Sequence, residues 1–211
     1  MSVVGIVPAA GRGERLGSDV PKAFVACAGR PLIEWSLDVL RSVCDRVVVA
    51  VPPGMSYPDS VEGGPVRSDS VRRALAAAPE ATVAVVHDAA RPFITRELVQ
   101  RCIDVLGDGY DGAIAATPVV DTVKQVDEGQ RVVRTLERSS LWAIQTPQVF
   151  MADVLRRALD VEESTLAAAT DDASLVEAIG GSVRVVEAPP RNFKVTGPAD
   201  LERAAQALRA S

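Results

Sequence analysis

A chain of 211 residues with 28 acidic and 23 basic side chains has a formal net charge of −5, which argues against a general nucleic-acid or anionic-membrane binder. Apolar residues make up 47% and aromatics only 4%, so the core must be built from Val, Leu, Ile and Ala, the mix found in sheets covered by helices. The length suits one domain over residues 1–211; Cys27, Cys44 and Cys102 have no disulfide or zinc-ligand spacing, and no apolar run reaches membrane-spanning length.

The opening Met1-Ser-Val-Val-Gly-Ile-Val-Pro8 has no cationic segment before a long apolar run, so a cytoplasmic protein is expected. Residues 3–7 form a short β-branched run that ends in Pro-Ala-Ala-Gly, the pattern of a buried strand entering a tight loop. Pro31 opens an amphipathic helix over 31–43, with Leu32, Ile33, Trp35, Leu37 and Leu40 among its apolar residues. Residues 46–51 are a second buried strand, stopped by Pro52-Pro53. A Gly- and Pro-rich loop then runs to Gly63-Gly64. Residues 68–78 read as a helix, with Ser68, Asp69 or Ser70 near its N-cap.

A third strand, 83–87, ends in His87-Asp-Ala-Ala-Arg-Pro92. A helix follows over 95–106 and a fourth strand over 112–117. This alternation predicts an α/β fold, a Rossmann-like mostly parallel sheet flanked by helices. Between 118 and 147 the pattern changes to two short β-like runs around the turn Asp127-Glu-Gly-Gln130. That segment is read as a projecting β-hairpin arm, whose unburied apolar residues suit dimerisation. Helices over 152–161 and 172–179, a strand over 183–188 and a last helix from Pro198 to about 208 complete the chain.

The loop Ala9-Ala-Gly-Arg-Gly-Glu-Arg-Leu-Gly-Ser18 directly follows the first strand, where open α/β sheets bind ligands. Gly11, Gly13 and Gly17 permit close backbone approach to phosphate oxygens, and Arg12, Arg15 and Lys22 place three cations within eleven residues. A triphosphate, with about four negative charges, calls for that density. The glycines run G-x-G-x-x-x-G and not the dinucleotide-binding G-x-G-x-x-G, Pro21 interrupts the helix that motif needs, and no Walker A sequence is present.

The pattern P-A-A-G-x-G-x-R-(x)5-P-K resembles the signature of sugar nucleotidyltransferases. Gly63-Gly64…Arg67…Ser70-Val71, His87-Asp-Ala-Ala-Arg-Pro92, Thr146-Pro-Gln148, Thr170-Asp-Asp-Ala-Ser174 and Asn192-Phe-Lys-Val-Thr196 narrow it. In this order, from about residue 4 to 201, they resemble the 2-C-methyl-D-erythritol 4-phosphate cytidylyltransferase family. The resemblance implies a reaction of CTP with methylerythritol phosphate, releasing pyrophosphate, with Mg²⁺ bridging the triphosphate. It implies that Arg15, Lys22 and Lys194 stabilise the α-phosphoryl group and that Ala9, Ala10, Gly11, Gly13, Gly64 and Ser70 hold the nucleotide. Asp88 would bond a sugar hydroxyl or lie near the metal, with Arg91 beside it at the mouth of the site. Thr122, Arg138 and Thr146 would bind the acceptor, Thr122 and Arg138 from the arm of a partner in a homodimer. Pro65 departs from the acidic residue common at that position in the family.

Three alternatives are weighed against this reading. A ribitol 5-phosphate cytidylyltransferase would share the phosphate loop, but Asp88-Ala-Ala-Arg91 favours methylerythritol phosphate. A non-catalytic nucleotide-binding regulator should have lost some of Arg15, Lys22 and Lys194, and all are present. An NAD-dependent oxidoreductase lacks both the glycine spacing and an acidic ribose ligand. His87, the sole histidine, is read as structural because phosphate attack needs no base. Asp171 and Asp172 are read as N-cap and first-turn charges rather than a metal pair, and Trp35 and Trp142 as packing residues.

Overall fold

Side chains alternate along strand Val3–Pro8 (β1), sending Val3 and Val7 to one face and Val4 and Ile6 to the other, all buried. A strand buried on both faces must lie between helical layers. The computed structural model describes residues 1–11 and 20–210. After β1 come the two-residue strands Ala26–Cys27 (β2) and Arg30–Pro31 (β3), helix Leu32–Arg41 (α1), strands Arg46–Val51 (β4) and Ser60–Glu62 (β5), and helix Arg67–Ala76 (α2). Strand Val83–Val86 (β6), helix Arg96–Gly107 (α3), and strands Gly112–Pro118 (β7), Lys124–Val126 (β8), Val132–Thr135 (β9) and Trp142–Met151 (β10) follow. Helices Ala152–Leu159 (α4), Glu163–Ala168 (α5) and Asp172–Ala178 (α6), strand Val183–Glu187 (β11) and helix Pro198–Arg209 (α7) close the chain.

Among the described residues one seven-stranded sheet has the order β11-β7-β10-β6-β1-β4-β5. Its strands run parallel except β10, which is antiparallel to both neighbours. Helices α1 and α3 pack Ile33, Leu37, Leu98 and Val99 on one face, while α2, α4, α5 and α6 pack Val71, Leu75, Leu155, Leu166 and Val176 on the other. Truncating a fully buried residue such as Leu155 to Ala costs about 2–5 kcal/mol. Helix α7 covers a smaller cluster of Cys27, Leu32, Ala90, Phe93, Val195 and Ala204. No helix among the described residues is long and apolar enough to cross a membrane.

The mostly parallel sheet agrees with the sequence reading, and a hairpin, β8 paired with β9, stands where an arm is expected. Its Val132 and Val133 are 61% and 60% exposed. Five elements escape the sequence reading: the short strands β2 and β3, then β5, α5 and β10. Pro147 in the middle of β10 reads as a break. In the structure it falls at a register shift between Ile144 and Gln148, where the ladder is interrupted. Residues 142–147 therefore belong to the central sheet. The N-terminus of α2 also differs: its N-cap is Val66, with no side-chain cap. Ser68, Asp69 and Ser70 lie buried in the first turn; Ser70 and Asp69 turn their polar atoms to Gly64, Arg72 and Arg73.

Candidate functional site

The parallel strands β1, β4, β5 and β6 end at one edge of the sheet, and the residues following them line a cleft of about 960 Å³. Its wall includes Ala9, Ala10, Gly11, Lys22, Gly63, Gly64, Arg67, Ser70, Arg73, Asp88 and Lys194. The sequence-predicted Arg15 and Gly13 lie outside the described residues. Ala9 prolongs β1 by donating its N–H to Ala50 O at 2.7 Å, which aims the Ala9-Ala10-Gly11 backbone into the cleft. Lys22 opens a 3-10 turn, Lys22–Phe24, after Pro21.

Gly63 and Gly64 close the opposite wall. Gly63 N–H donates to Val51 O at 2.8 Å, and a Cβ on Gly63 would lie 2.4 Å from that of Ala10, so only glycine lets the two loops meet. Gly64 N–H donates to Ser70 Oγ at 3.0 Å, and that hydroxyl donates to Val66 O at 3.2 Å. Asp69, 5% exposed, receives Arg72 and Arg73.

The floor is charged. Asp88 follows β6; its Oδ1 accepts from Arg67 Nε at 3.1 Å and its Oδ2 from Lys194 Nζ at 2.6 Å. Burial alone would raise the Asp88 carboxyl, but Arg67 and Lys194 outweigh it and hold it well below the ordinary carboxylate range. Arg67 Nη1 also donates to Asp172 Oδ2 at 2.6 Å. Burial pushes the Asp172 carboxyl up against the pull of Arg67. With Lys22, Arg67, Arg73 and Lys194 facing Glu62 and Asp88, the described lining holds four cations and two carboxylates, an excess suited to a polyanion.

The backbone of Asp88 is fixed from behind. Its N–H donates to Thr146 Oγ1 at 3.0 Å, and Thr146 Oγ1 lies 3.1 Å from His87 Nδ1. His87 Nε2 lies 3.1 Å from Arg91 O. A carbonyl can only accept, so Nε2 holds the proton and Nδ1 accepts from the threonine hydroxyl. His87 is fully buried, and burial depresses its pKa to about 4. It is a neutral structural residue, as the sequence reading expects.

The cleft gathers Ala9, Ala10, Gly11, Lys22, Gly64, Ser70, Asp88 and Lys194 of the sequence-predicted residues. Four others stand elsewhere. Arg91 is buried beneath the floor, donating Nη1 to Asn192 O at 2.8 Å, and Thr146 spends its hydroxyl on Asp88 and His87. Thr122 and Arg138 are exposed beside the hairpin, Arg138 donating to Val120 O at 2.5 Å; neither lines the cleft of its own chain. Asp171 caps α6 through Ser174 N–H at 2.9 Å, as read from the sequence.

Sequence reasoning misses Asp172 as a member of the site network. Its signal is its spacing: it shares a helical stripe with Leu175 and Val176, and an acid on an apolar stripe needs a buried partner. Glu62 and Arg73 also escape it as lining residues.

Residues 3–210 match the family described as 2-C-methyl-D-erythritol 4-phosphate cytidylyltransferase, IspD. Curated proteins of that name are similar to the chain. The one from Nocardia farcinica is 45% identical, covering 96% of this chain and 92% of the relative, and the one from Frankia casuarinae is 46% identical over 94% and 78%. The crystal structure of the Thermus thermophilus protein of that name superposes with a TM-score of 0.84 at 38% identity, covering 99% of this chain and 100% of that one.

Proposed function

The chain belongs to the 2-C-methyl-D-erythritol 4-phosphate cytidylyltransferase family, and from that premise we propose that CTP and 2-C-methyl-D-erythritol 4-phosphate meet in the cleft beyond β1, β4 and β6. The reaction yields 4-diphosphocytidyl-2-C-methyl-D-erythritol and pyrophosphate, a nucleotidyl transfer in isoprenoid biosynthesis. The observation that carries the site assignment is the convergence of Lys22, Arg67 and Lys194 on one cleft whose far wall is bare backbone at Gly63 and Gly64.

The acceptor phosphate is already an anion, so attack on the α-phosphorus requires alignment and charge neutralisation instead of a general base. Lys22 and Lys194 take that role, together with Arg15, which is assigned from sequence alone. Ala9, Ala10, Gly11, Gly64 and Ser70 hold the nucleoside side, where the narrow approach of Gly63 to Ala10 favours a pyrimidine over a larger base.

Mg²⁺ is part of the same reading. The described residues contain no group of three or more His, Cys, Asp or Glu side chains able to grip an ion, and both oxygens of Asp88 already have cationic partners. An ion held chiefly by triphosphate oxygens and water would need no such group, and it would reach Asp88 only by displacing Arg67 or Lys194 from one of its oxygens. When bound, the ion would neutralise charge on the triphosphate.

A homodimer and a cytoplasmic location complete the reading. The exposed valines of the hairpin support the first, because a two-stranded ribbon gains stability by packing against another surface. In such a dimer Thr122 and Arg138 serve the cleft of the second copy.

Initial rates of pyrophosphate release test the assignment. With methylerythritol phosphate and Mg²⁺ present, turnover is expected with CTP and at least about tenfold less with UTP, ATP or GTP, the scale of a few lost base contacts. Equal turnover with ribitol 5-phosphate would refute the acceptor specificity.

A further inference from the structure

Asp172 has no exposed surface, yet its neighbours on α6 are Leu175 and Val176. A carboxylate in that setting is costly unless paired. Its partner is the Arg67 guanidinium, which reaches Asp172 through Nη1 at 2.6 Å and Asp88 through Nε at 3.1 Å. Asp88 in turn holds Lys194 Nζ at 2.6 Å. Four charges thus alternate in sign from the helix layer, across the cleft floor, to the segment before α7. Arg67, Asp88 and Lys194 line the cleft, and Asp172 does not.

The geometry suits a relay of position. A guanidinium is a rigid planar fork, so binding two carboxylates through different nitrogens fixes them relative to each other, which a lysine ammonium does not do. Asp88 is pinned at its backbone by Thr146 as well, leaving its carboxylate direction to be set by Arg67. Lys194 stands on a segment outside any helix or strand, with its side chain 38% exposed. A long side chain there samples many rotamers unless an anchor selects one. Buried ion pairs add little net stability compared with apolar packing, so this one has no strong claim as a fold-stabilising device.

We propose that Arg67, seated on buried Asp172, is a positioning residue for nucleotidyl transfer: it orients Asp88, and through Asp88 it holds the Lys194 ammonium over the reacting phosphates. The proposal rests on the reading that Lys194 acts on the α-phosphoryl group.

A double-mutant cycle on the full-length protein separates this role from a structural one. Initial rates of pyrophosphate release at saturating CTP and methylerythritol phosphate are compared for wild type, Arg67→Met, Lys194→Met and the double variant, with thermal unfolding followed in parallel. Lys194→Met is expected to lower kcat about a hundredfold, and Arg67→Met about tenfold. The double variant should fall no more than about twofold below Lys194→Met, because Arg67 has nothing left to position. Arg67→Lys should recover less than about half of the lost rate. If Arg67→Met fails to fold, the near-isosteric Asp172→Asn replaces it in the same cycle, with the same non-additivity expected. Multiplicative losses in the double variant, or wild-type kcat in folded Arg67→Met or Asp172→Asn, would overturn the proposal. Wild-type kcat in Lys194→Met would instead overturn the reading of Lys194, and the proposal with it.

Discussion

Lys194 Nζ lies 2.6 Å from Asp88 Oδ2, joining the segment before the last helix to the end of a central strand. Arg67 takes the other oxygen, so the most deeply set carboxylate of the cleft wall is offset by two cations before any polyanion enters. An unpaired Asp88 would repel a triphosphate; paired with Arg67 and Lys194, its charge is offset where the polyanion would lie.

Lys22→Ala should lower kcat about a hundredfold or more, the scale of losing one charge contact to a transition state. Lys22 is only partly buried, in a short turn, so the unfolding midpoint should stay within a few degrees. Turnover near wild type in the folded variant would remove Lys22 from the reaction.

Gly63→Ala should damage both stability and nucleotide affinity. The new Cβ would fall 2.4 Å from Ala10 Cβ and 3.2 Å from Val51 O, and neither atom can move without the backbone. Overpacking of this kind costs about 1–3 kcal/mol, and the loop at Ala10 is pushed off its wall. Denaturant melts should show the loss, with KM for CTP raised about tenfold or more.

Stability should fall in mild acid because of His87. Its folded pKa, about 4, lies below the unfolded value of about 6.5, so the unfolded chain takes up the proton first. The contribution is complete above about pH 6.5 and is lost as the pH falls towards 4, amounting to about 3 kcal/mol. Asp172, whose carboxyl is raised, acts in the opposite sense, and Asp88, whose carboxyl is depressed, acts mainly at lower pH. His87→Asn removes the titrating ring and leaves both acids in place. Between about pH 7 and 5 the wild type should therefore lose more stability than the variant, as read from unfolding midpoints; equal losses would contradict the assignment.

Val133→Glu should convert a dimer to a monomer in sedimentation velocity. The residue is exposed on β9, so the isolated fold loses nothing from the added charge, whereas a hairpin pressed against a second copy cannot desolvate it. Turnover should fall with the dimer, since Thr122 and Arg138 are assigned to the partner's cleft. A wild-type protein that sediments as a monomer at all concentrations would end that assignment.

Most of the layered architecture is legible from local pattern. Runs such as Arg46–Val51 are buried on both faces and announce themselves by continuous β-branched residues. The entry of residues 9–11 into the cleft is legible because a β-branched run ending in Pro-Ala-Ala-Gly reads as a buried strand entering a tight loop. The antiparallel strand β10 is not, since Pro147 mimics a break and only the register shift at Ile144 shows how it is tolerated. The pairing of Arg67 with Asp172 is equally hidden: 105 positions separate them, and no local periodicity reports which buried acid meets which cation. Arg91 and Thr146 show the converse, since a motif places them near the site while hydrogen bonds turn them inward.

Pro118 and Trp142 face each other across adjacent strands of the sheet. The chain therefore leaves and re-enters the sheet at neighbouring positions, and residues 119–141 form a closed excursion. Its length can change without altering strand order, because loop-closure cost grows only slowly with added residues. The hairpin is in this sense a detachable module of the architecture: its outline can change while the order of the sheet strands stays as it is.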